Sequence, residues 1–273
     1  MYYVQASDGV HLAVYDYNSK GEDIVFLIHG WPLSSKIYEY QLNPLIEKGY
    51  RVVTMDLRGF GESDVPACGY SYDQMADDIY QVAQACKLDC FVLVGFSMGG
   101  AVALRYMNKF QGYGVKKLFL LSAAAPMWTK RQGYPYGLTC DYVNSLIRQA
   151  AVDRAQLAYE FSHKYLFACP KSNTIINWFG DIALSASGIG TIQTAISLRD
   201  EVGRKDLKSV CVPTVIIYGK KDAVVTKELI MLQHREIKGS VLYTLENSAH
   251  GIMYDELERF NNIFLKELAC LKK

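Results

Sequence analysis

The chain has 273 residues, half of them hydrophobic, and 29 basic residues against 28 acidic ones give it a formal net charge of +1. That length suits one large α/β domain or a core with an insertion, and the apolar content can bury a sizeable core. No basic stripe of the kind nucleic acid attracts is present, no apolar run approaches the roughly 18 residues of a membrane span, and Met1 to Gly9 lack the regions of a signal peptide, so the expectation is a soluble cytoplasmic protein without nucleic-acid or membrane partners.

In chain order, Asp8-Gly9 lies between two alternating runs and reads as a hairpin turn. Six apolar runs follow: Ile24 to Ile28, Arg51 to Met55, Phe91 to Val94, Lys117 to Leu121, Pro213 to Tyr218 and Ser240 to Leu245. Apolar runs without alternation suit strands buried on both faces, as in a parallel sheet. Helix-like segments lie between them, at Glu39 to Lys48, Ser71 to Ala85 (with Ser71 and Asp73 as cap candidates) and Ala101 to Phe110. Asp255 to Leu271 closes the chain, with Leu257, Phe260, Phe264, Leu268 and Leu271 at helical spacing.

Residues 127–206 break this rhythm. They hold helix-like pieces (Thr139–Ile147, Asp153–Phe161, Thr174–Ser185, Gly190–Arg199) and aromatics but no apolar strand run. The expected architecture is α/β, a mostly parallel sheet flanked by helices. Residues 1–126 and 207–273 would form the core, and 127–206 a helical cap over the C-terminal edge of the sheet.

Seven cysteines, at 68, 86, 90, 140, 169, 211 and 270, form no CxxC pair and no zinc-like spacing, so they read as reduced thiols. No metal cluster and no phosphate-cradling pattern is visible, and Gly95 to Gly100 lacks the spacing of a dinucleotide loop. The expected cofactor is none.

The chemistry concentrates at Gly95-Phe96-Ser97-Met98-Gly99, between a buried run and a helix. A Gly-x-Ser-x-Gly in that context is a nucleophile elbow, a turn so tight that side chains at either glycine would collide with neighbouring backbone. Ser97 is the candidate nucleophile, and a serine hydroxyl needs a base. Of five histidines, His250 follows the last run, where a loop can reach back to Ser97. His11 reads as surface, His163 and His234 as helix residues, and His29 as a turn residue. Asp222, just after the fifth run, would orient the base; the loop after the fourth run (Ser122 to Pro126) offers no acid. His29-Gly30-Trp31-Pro32 follows the first run, so the backbone N–H groups of Trp31 and Met98 are the expected oxyanion donors. Asp56 to Ser63 reads as a structural loop.

With Gly30-Trp31-Pro32, Arg58-Gly59-Phe60-Gly61-Glu62-Ser63, Gly95 to Gly100 and Ala249-His250-Gly251, the chain resembles the α/β-hydrolase superfamily over essentially its whole length. Within it, the resemblance is to the cofactor-free haloperoxidase and aryl esterase group, and it extends to Asp153-Arg154-Ala155-Gln156 and Phe161 in the insertion. The resemblance implies a carboxylesterase acting on small acyl or aryl esters. It also implies a perhydrolase side activity, which this group associates with a proline placed as Pro32 is. The pocket residues it implies are Trp31, Phe96, Trp128, Phe161, Tyr165 and Val224. Ser97 excludes the aspartyl-nucleophile relatives, whose alkyl-enzyme intermediate would become an unreactive ether on serine.

The function expected is a serine hydrolase taking a small-molecule ester, with homo-oligomerisation left open. The alternatives are a ligand-binding sensor on the same fold, or a hydrolase of lactones, thioesters or carbon–carbon bonds.

Overall fold

The hairpin and the six apolar runs pair into one eight-stranded sheet in the computed structural model, which describes residues 1–270. The strands are β1 (Tyr2–Gln5), β2 (His11–Tyr17), β3 (Ile24–Ile28), β4 (Arg51–Met55), β5 (Phe91–Phe96), β6 (Val115–Leu121), β7 (Thr214–Gly219) and β8 (Val241–Leu245). Their order is β1-β2-β4-β3-β5-β6-β7-β8. β2 pairs antiparallel with β1 and β4, and every other pairing is parallel. Parallel strands covered on both faces must be apolar throughout; β5 and β7 are buried at every position.

Alternate strand residues feed two apolar layers. Phe26, Val53 and Leu93 enter one with Met75, Ile79 and Val102, while Val25, Val52 and Val94 enter the other with Leu45, Phe260 and Phe264. The first layer is thus covered by α2 (Tyr72–Ala85) and α3 (Met98–Lys109). The second is covered by α1 (Glu39–Glu47) and α11 (Leu257–Ala269). Ser71 caps α2 by accepting the Gln74 N–H, as its sequence position suggests. Pro44 lies inside α1 and cannot donate to the Tyr40 carbonyl, which accepts from the Asn261 side chain of α11 instead.

Between β6 and β7 the chain is mostly helical: α4 (Cys140–Val152), α5 (Arg154–Glu160), a π-helical turn at Phe161–Tyr165, α6 (Asn173–Ser185), α7 (Gly188–Asp200) and α8 (Arg204–Lys208). α4 runs five residues past the expected Ile147, until Asp153 ends it and caps α5 by accepting the Gln156 N–H. The expected cap boundary at 206 falls inside α8. There Arg105 of α3 binds Asp206, Glu201 and Asp73, fastening the end of the insertion to the sheet-covering helices.

One helix has no bounds in the sequence pattern, and one expected boundary moves. α9 (Lys227–Glu236) contains His234, which reads as helical, but only Leu229, Ile230 and Gln233 of it are buried, too short a stripe to delimit a helix by pattern. The closing helix expected from Asp255 begins instead at Leu257, as α11, because Glu256 takes φ −120° and ψ 58° and separates it from a preceding short helix, α10 (Ile252–Asp255). Its carboxylate and that of Asp255 are both committed to preceding loops. Leu271 of that expected helix lies outside the described residues. No helix of the described residues is long and apolar enough to cross a membrane.

The Asp56 to Ser63 loop is structural, as its sequence suggests. Asp56 accepts from Ser35 N–H and Glu62 N–H, and Ser63 Oγ donates to the Asp56 carbonyl. Arg58 is fully buried and donates two 2.6 Å hydrogen bonds to buried Asp78 of α2, and two more to Asp8 of the hairpin. Removing one partner of such a pair leaves an uncompensated buried charge. Arg58→Ala is therefore expected to lower stability by about 3–5 kcal/mol, read as a shifted urea midpoint; an unchanged midpoint would contradict this account.

Candidate active site

Ser97 stands between β5 and α3 at φ 54° and ψ −119°, a left-handed conformation that costs a non-glycine residue about 1–3 kcal/mol. The surroundings impose it. A Cβ at Gly95 would lie 2.5 Å from the Gly99 carbonyl oxygen and 2.6 Å from Gly100 Cα. A Cβ at Gly99 would run into the carbonyl oxygens of His29 and Ile28. Ser97 itself is tied down, its N–H donating to Leu121 and its carbonyl accepting from Gly100 and Ala124. The backbone angles therefore push the hydroxyl out at the C-terminal edge of the sheet.

Two other loops on that edge meet it. His250 Nε2 lies 3.0 Å from Ser97 Oγ, and His250 Nδ1 lies 2.8 Å from Asp222 Oδ2. The other oxygen of Asp222 accepts from the Val224 and Val225 N–H groups, so the turn after β7 holds the carboxylate in place. Lys221 N–H donates to the Ser248 carbonyl, joining that turn to the histidine loop. His250 is wholly buried and Ser97 is 5% exposed. The Phe96 ring lies 4.9 Å from the His250 ring, centroid to centroid. The other histidines stand apart: His11 beside Asp64, His163 stacked on Tyr159 and His234 beside Ser240.

The expected oxyanion donors occupy suitable backbone positions. Met98 N–H opens α3, ahead of the first helical hydrogen bonds, which Gly100 and Ala101 make to Ser97. Trp31 N–H follows Gly30, whose Cβ would stand 2.7 Å from Ser97 Cβ. Among the described residues neither N–H has a hydrogen-bond acceptor. His29 braces this loop. Its Nδ1 donates to the Gly30 carbonyl and its Nε2 accepts from Leu57 N–H, so it is a neutral turn residue, as its position suggests. Burial holds its imidazole below the ordinary value, against an opposing pull from Asp56.

A cavity of about 540 Å³ opens between the insertion and this edge. Of the six expected pocket residues, Trp31, Trp128, Phe161, Tyr165 and Val224 line it. Phe96 does not: it points into the core face beneath His250, and its role is packing. The triad itself is not part of the wall. The cavity adjoins it through Trp31 and through Ala223 and Val224, which directly follow Asp222. Trp31 Nε1 donates to the Thr191 carbonyl of α7, and Trp128 Nε1 to the Val224 carbonyl.

Sequence reading missed the wall that α4 provides. Tyr142, Leu146 and Gln149 line the cavity, and their spacing of four and then three residues was the available signal. Glu160 lines it too, its carboxyl held down at about 2 by Lys164 and by the Gln149 and Gln156 amides. Burial and then a hydrogen bond with Tyr165 push the Tyr142 phenol up, so it stays neutral. The wall is thus mostly apolar, with its polar groups gathered near α4 and the π-helical turn. Among the described residues, no group of three or more His, Cys, Asp or Glu side chains could hold a metal ion.

A mostly parallel sheet, a serine at a strained strand-to-helix turn and a histidine–carboxylate pair on the neighbouring loops together define an α/β hydrolase. The family model for the alpha/beta hydrolase fold matches residues 23–257, and the chain belongs to that family. It is 43% identical over 262 residues to the AB hydrolase superfamily protein YisY of Bacillus subtilis (strain 168), covering 96% of this chain and 97% of that one. It is 30% identical to the bifunctional esterase/perhydrolase DCH of Acinetobacter calcoaceticus, covering 97% and 98%. The solved esterase EaEST of Exiguobacterium antarcticum superposes with a TM-score of 0.95 at 42% identity, over 98% of this chain and 99% of that one. The chain is thus a hydrolase that resembles the haloperoxidase and esterase group.

His29 carries a pH signature. Its folded-state value lies below the ordinary 6.5, so on acidification the unfolded chain takes up the proton first. Stability from this group is complete above about pH 6.5 and declines as pH falls below it, by up to about 1.4 kcal/mol per pH unit. His29→Gln should flatten the melting temperature between pH 6.5 and 5 relative to the native protein. Parallel curves for the two would refute the assignment.

Proposed function

We propose that the protein is a serine carboxylesterase that hydrolyses small acyl or aryl esters through an acyl-Ser97 intermediate. The observation that carries this reading is the hydrogen-bonded chain Ser97–His250–Asp222, at 3.0 and 2.8 Å, beside a mostly apolar cavity. Ser97 Oγ attacks the ester carbonyl while His250 Nε2 takes its proton. Asp222 keeps the Nδ1 proton facing itself and stabilises the imidazolium. The oxyanion is met by the N–H groups of Trp31 and Met98. His250 returns the proton to the leaving alcohol, and the acyl group stays on Ser97. His250 then takes a proton from water, the hydroxide adds to the acyl carbon, and the acid leaves as Ser97 regains its proton. Hydrogen peroxide in place of water would release a peracid, a side activity in keeping with the name of the Acinetobacter relative and with Pro32.

Ser97→Ala should lower kcat for p-nitrophenyl acetate by on the order of 10⁴–10⁶-fold without unfolding the chain, and should abolish covalent labelling by a fluorophosphonate. Undiminished turnover in that variant would sink the reading, and specific ligand binding with negligible native turnover would favour a sensor.

The cavity should set acyl and aryl size. Leu146→Trp fills part of the wall that α4 contributes. It is expected to lower kcat/KM for phenyl-bearing acyl esters on the order of tenfold while sparing acetate. Equal losses on both substrates would place the bound ester elsewhere.

A further inference from the structure

We propose that Asp255 and Glu256 are positioning residues for His250, gripping the loop that carries it and fastening that loop to the cap. The kinetic consequence rests on the serine-esterase reading above. The two carboxylates are consecutive, at the break between α10 and α11, where the non-helical angles of Glu256 interrupt the helix. The Asp255 side chain is wholly buried. Its Oδ2 accepts the Ala249 N–H and the Ala168 N–H, each at 2.8 Å, and its Oδ1 accepts the Cys169 N–H at 3.0 Å. Glu256 Oε2 accepts the Asn247 N–H at 2.8 Å and the Ser248 hydroxyl at 2.9 Å. All three residues before His250 are therefore held by these two side chains. On the other side, Gly251 N–H donates to the Leu166 carbonyl at 2.6 Å.

The same contacts reach the cavity. Leu166 to Cys169 follow the π-helical turn Phe161–Tyr165, whose two end residues line the cavity wall. Asp255 thus bonds at one carboxylate to the histidine loop and to the cap segment leaving the wall. A loop is ordinarily free to shift on the surface. This one must hold an imidazole that makes two hydrogen bonds in opposite directions, and a displacement of about 1 Å costs on the order of 10²-fold in rate. Buried carboxylates that accept several N–H donors are strong, directional anchors.

Asp255→Asn replaces one accepting oxygen by an NH₂ group that faces donors, at nearly constant volume. Glu256→Gln does the same at a partly exposed position and leaves the buried carboxylate intact. For Asp255→Asn, kcat for p-nitrophenyl acetate and the rate of fluorophosphonate labelling should each fall about 10–100-fold, with KM within about twofold. Glu256→Gln should move both in the same direction by roughly 3–10-fold. The low-field proton NMR signal of His250 Nδ1–H should be sharp in the native protein and exchange-broadened in both variants. Native rates and a native signal in a folded variant would overturn the proposal. If Asp255→Asn fails to fold, the Glu256→Gln result decides. A native protein that turns over no ester defeats the esterase reading, while the Nδ1–H comparison still decides whether the pair positions His250.

Discussion

The site depends on one steric constraint, the exclusion of side chains from the space around Ser97. Three backbone segments converge there: the end of β5, the first turn of α3 and the loop after β3. Gly95, Gly99 and Gly30 are the positions where a single added carbon would overlap a neighbour. With those carbons absent, the helix begins directly against the sheet, and the serine is forced into left-handed angles. The strain is local and the support is distributed, through hydrogen bonds to Leu121, Gly100 and Ala124. A side chain fixed by such an over-determined turn needs no ordering when a reactant arrives.

The remaining groups reach Ser97 because the parallel sheet sends every loop after a strand to one edge. The loops after β3, β5, β7 and β8 supply Trp31, Met98, Asp222 and His250. The loops are tied in pairs: His29 joins the β3 loop to the start of the β4 loop, Ala124 N–H joins the β6 loop to Ser97 after β5, and the Lys221–Ser248 contact joins the β7 and β8 loops. The loops carry the candidate site residues, and the strands fix their spacing.

The order Ser97, Asp222, His250 was legible because each follows an apolar run, and apolar runs are the strongest signal a parallel sheet leaves in a chain. The strand positions were legible for the same reason. Phe96 was expected in the pocket through the family resemblance, yet alternation along β5 turns its ring into the packed layer instead. The α4 wall was missed because the helix was legible but not which of its side chains would meet a cavity: Leu146 both packs on the core and lines the wall, beside the polar Tyr142 and Gln149. The break at Glu256 was hidden because it depends on contacts with residues 247 and 248. Local propensity holds no record of a bond that forms only in the folded chain. The buried Arg58 cluster was invisible for a similar reason, since its partners Asp8 and Asp78 are 50 and 20 residues away.

The two indoles on the cavity wall have a mechanical consequence. Trp31 reaches from the sheet edge to the Thr191 carbonyl of the insertion, and Trp128 reaches from the insertion to the Val224 carbonyl beside Asp222. Each is a cross-brace anchored at the site it overlooks. A wholesale swing of the helical roof would have to break both braces and the Arg105 cluster at once. Movement of the insertion as one piece is therefore opposed at three places along its length.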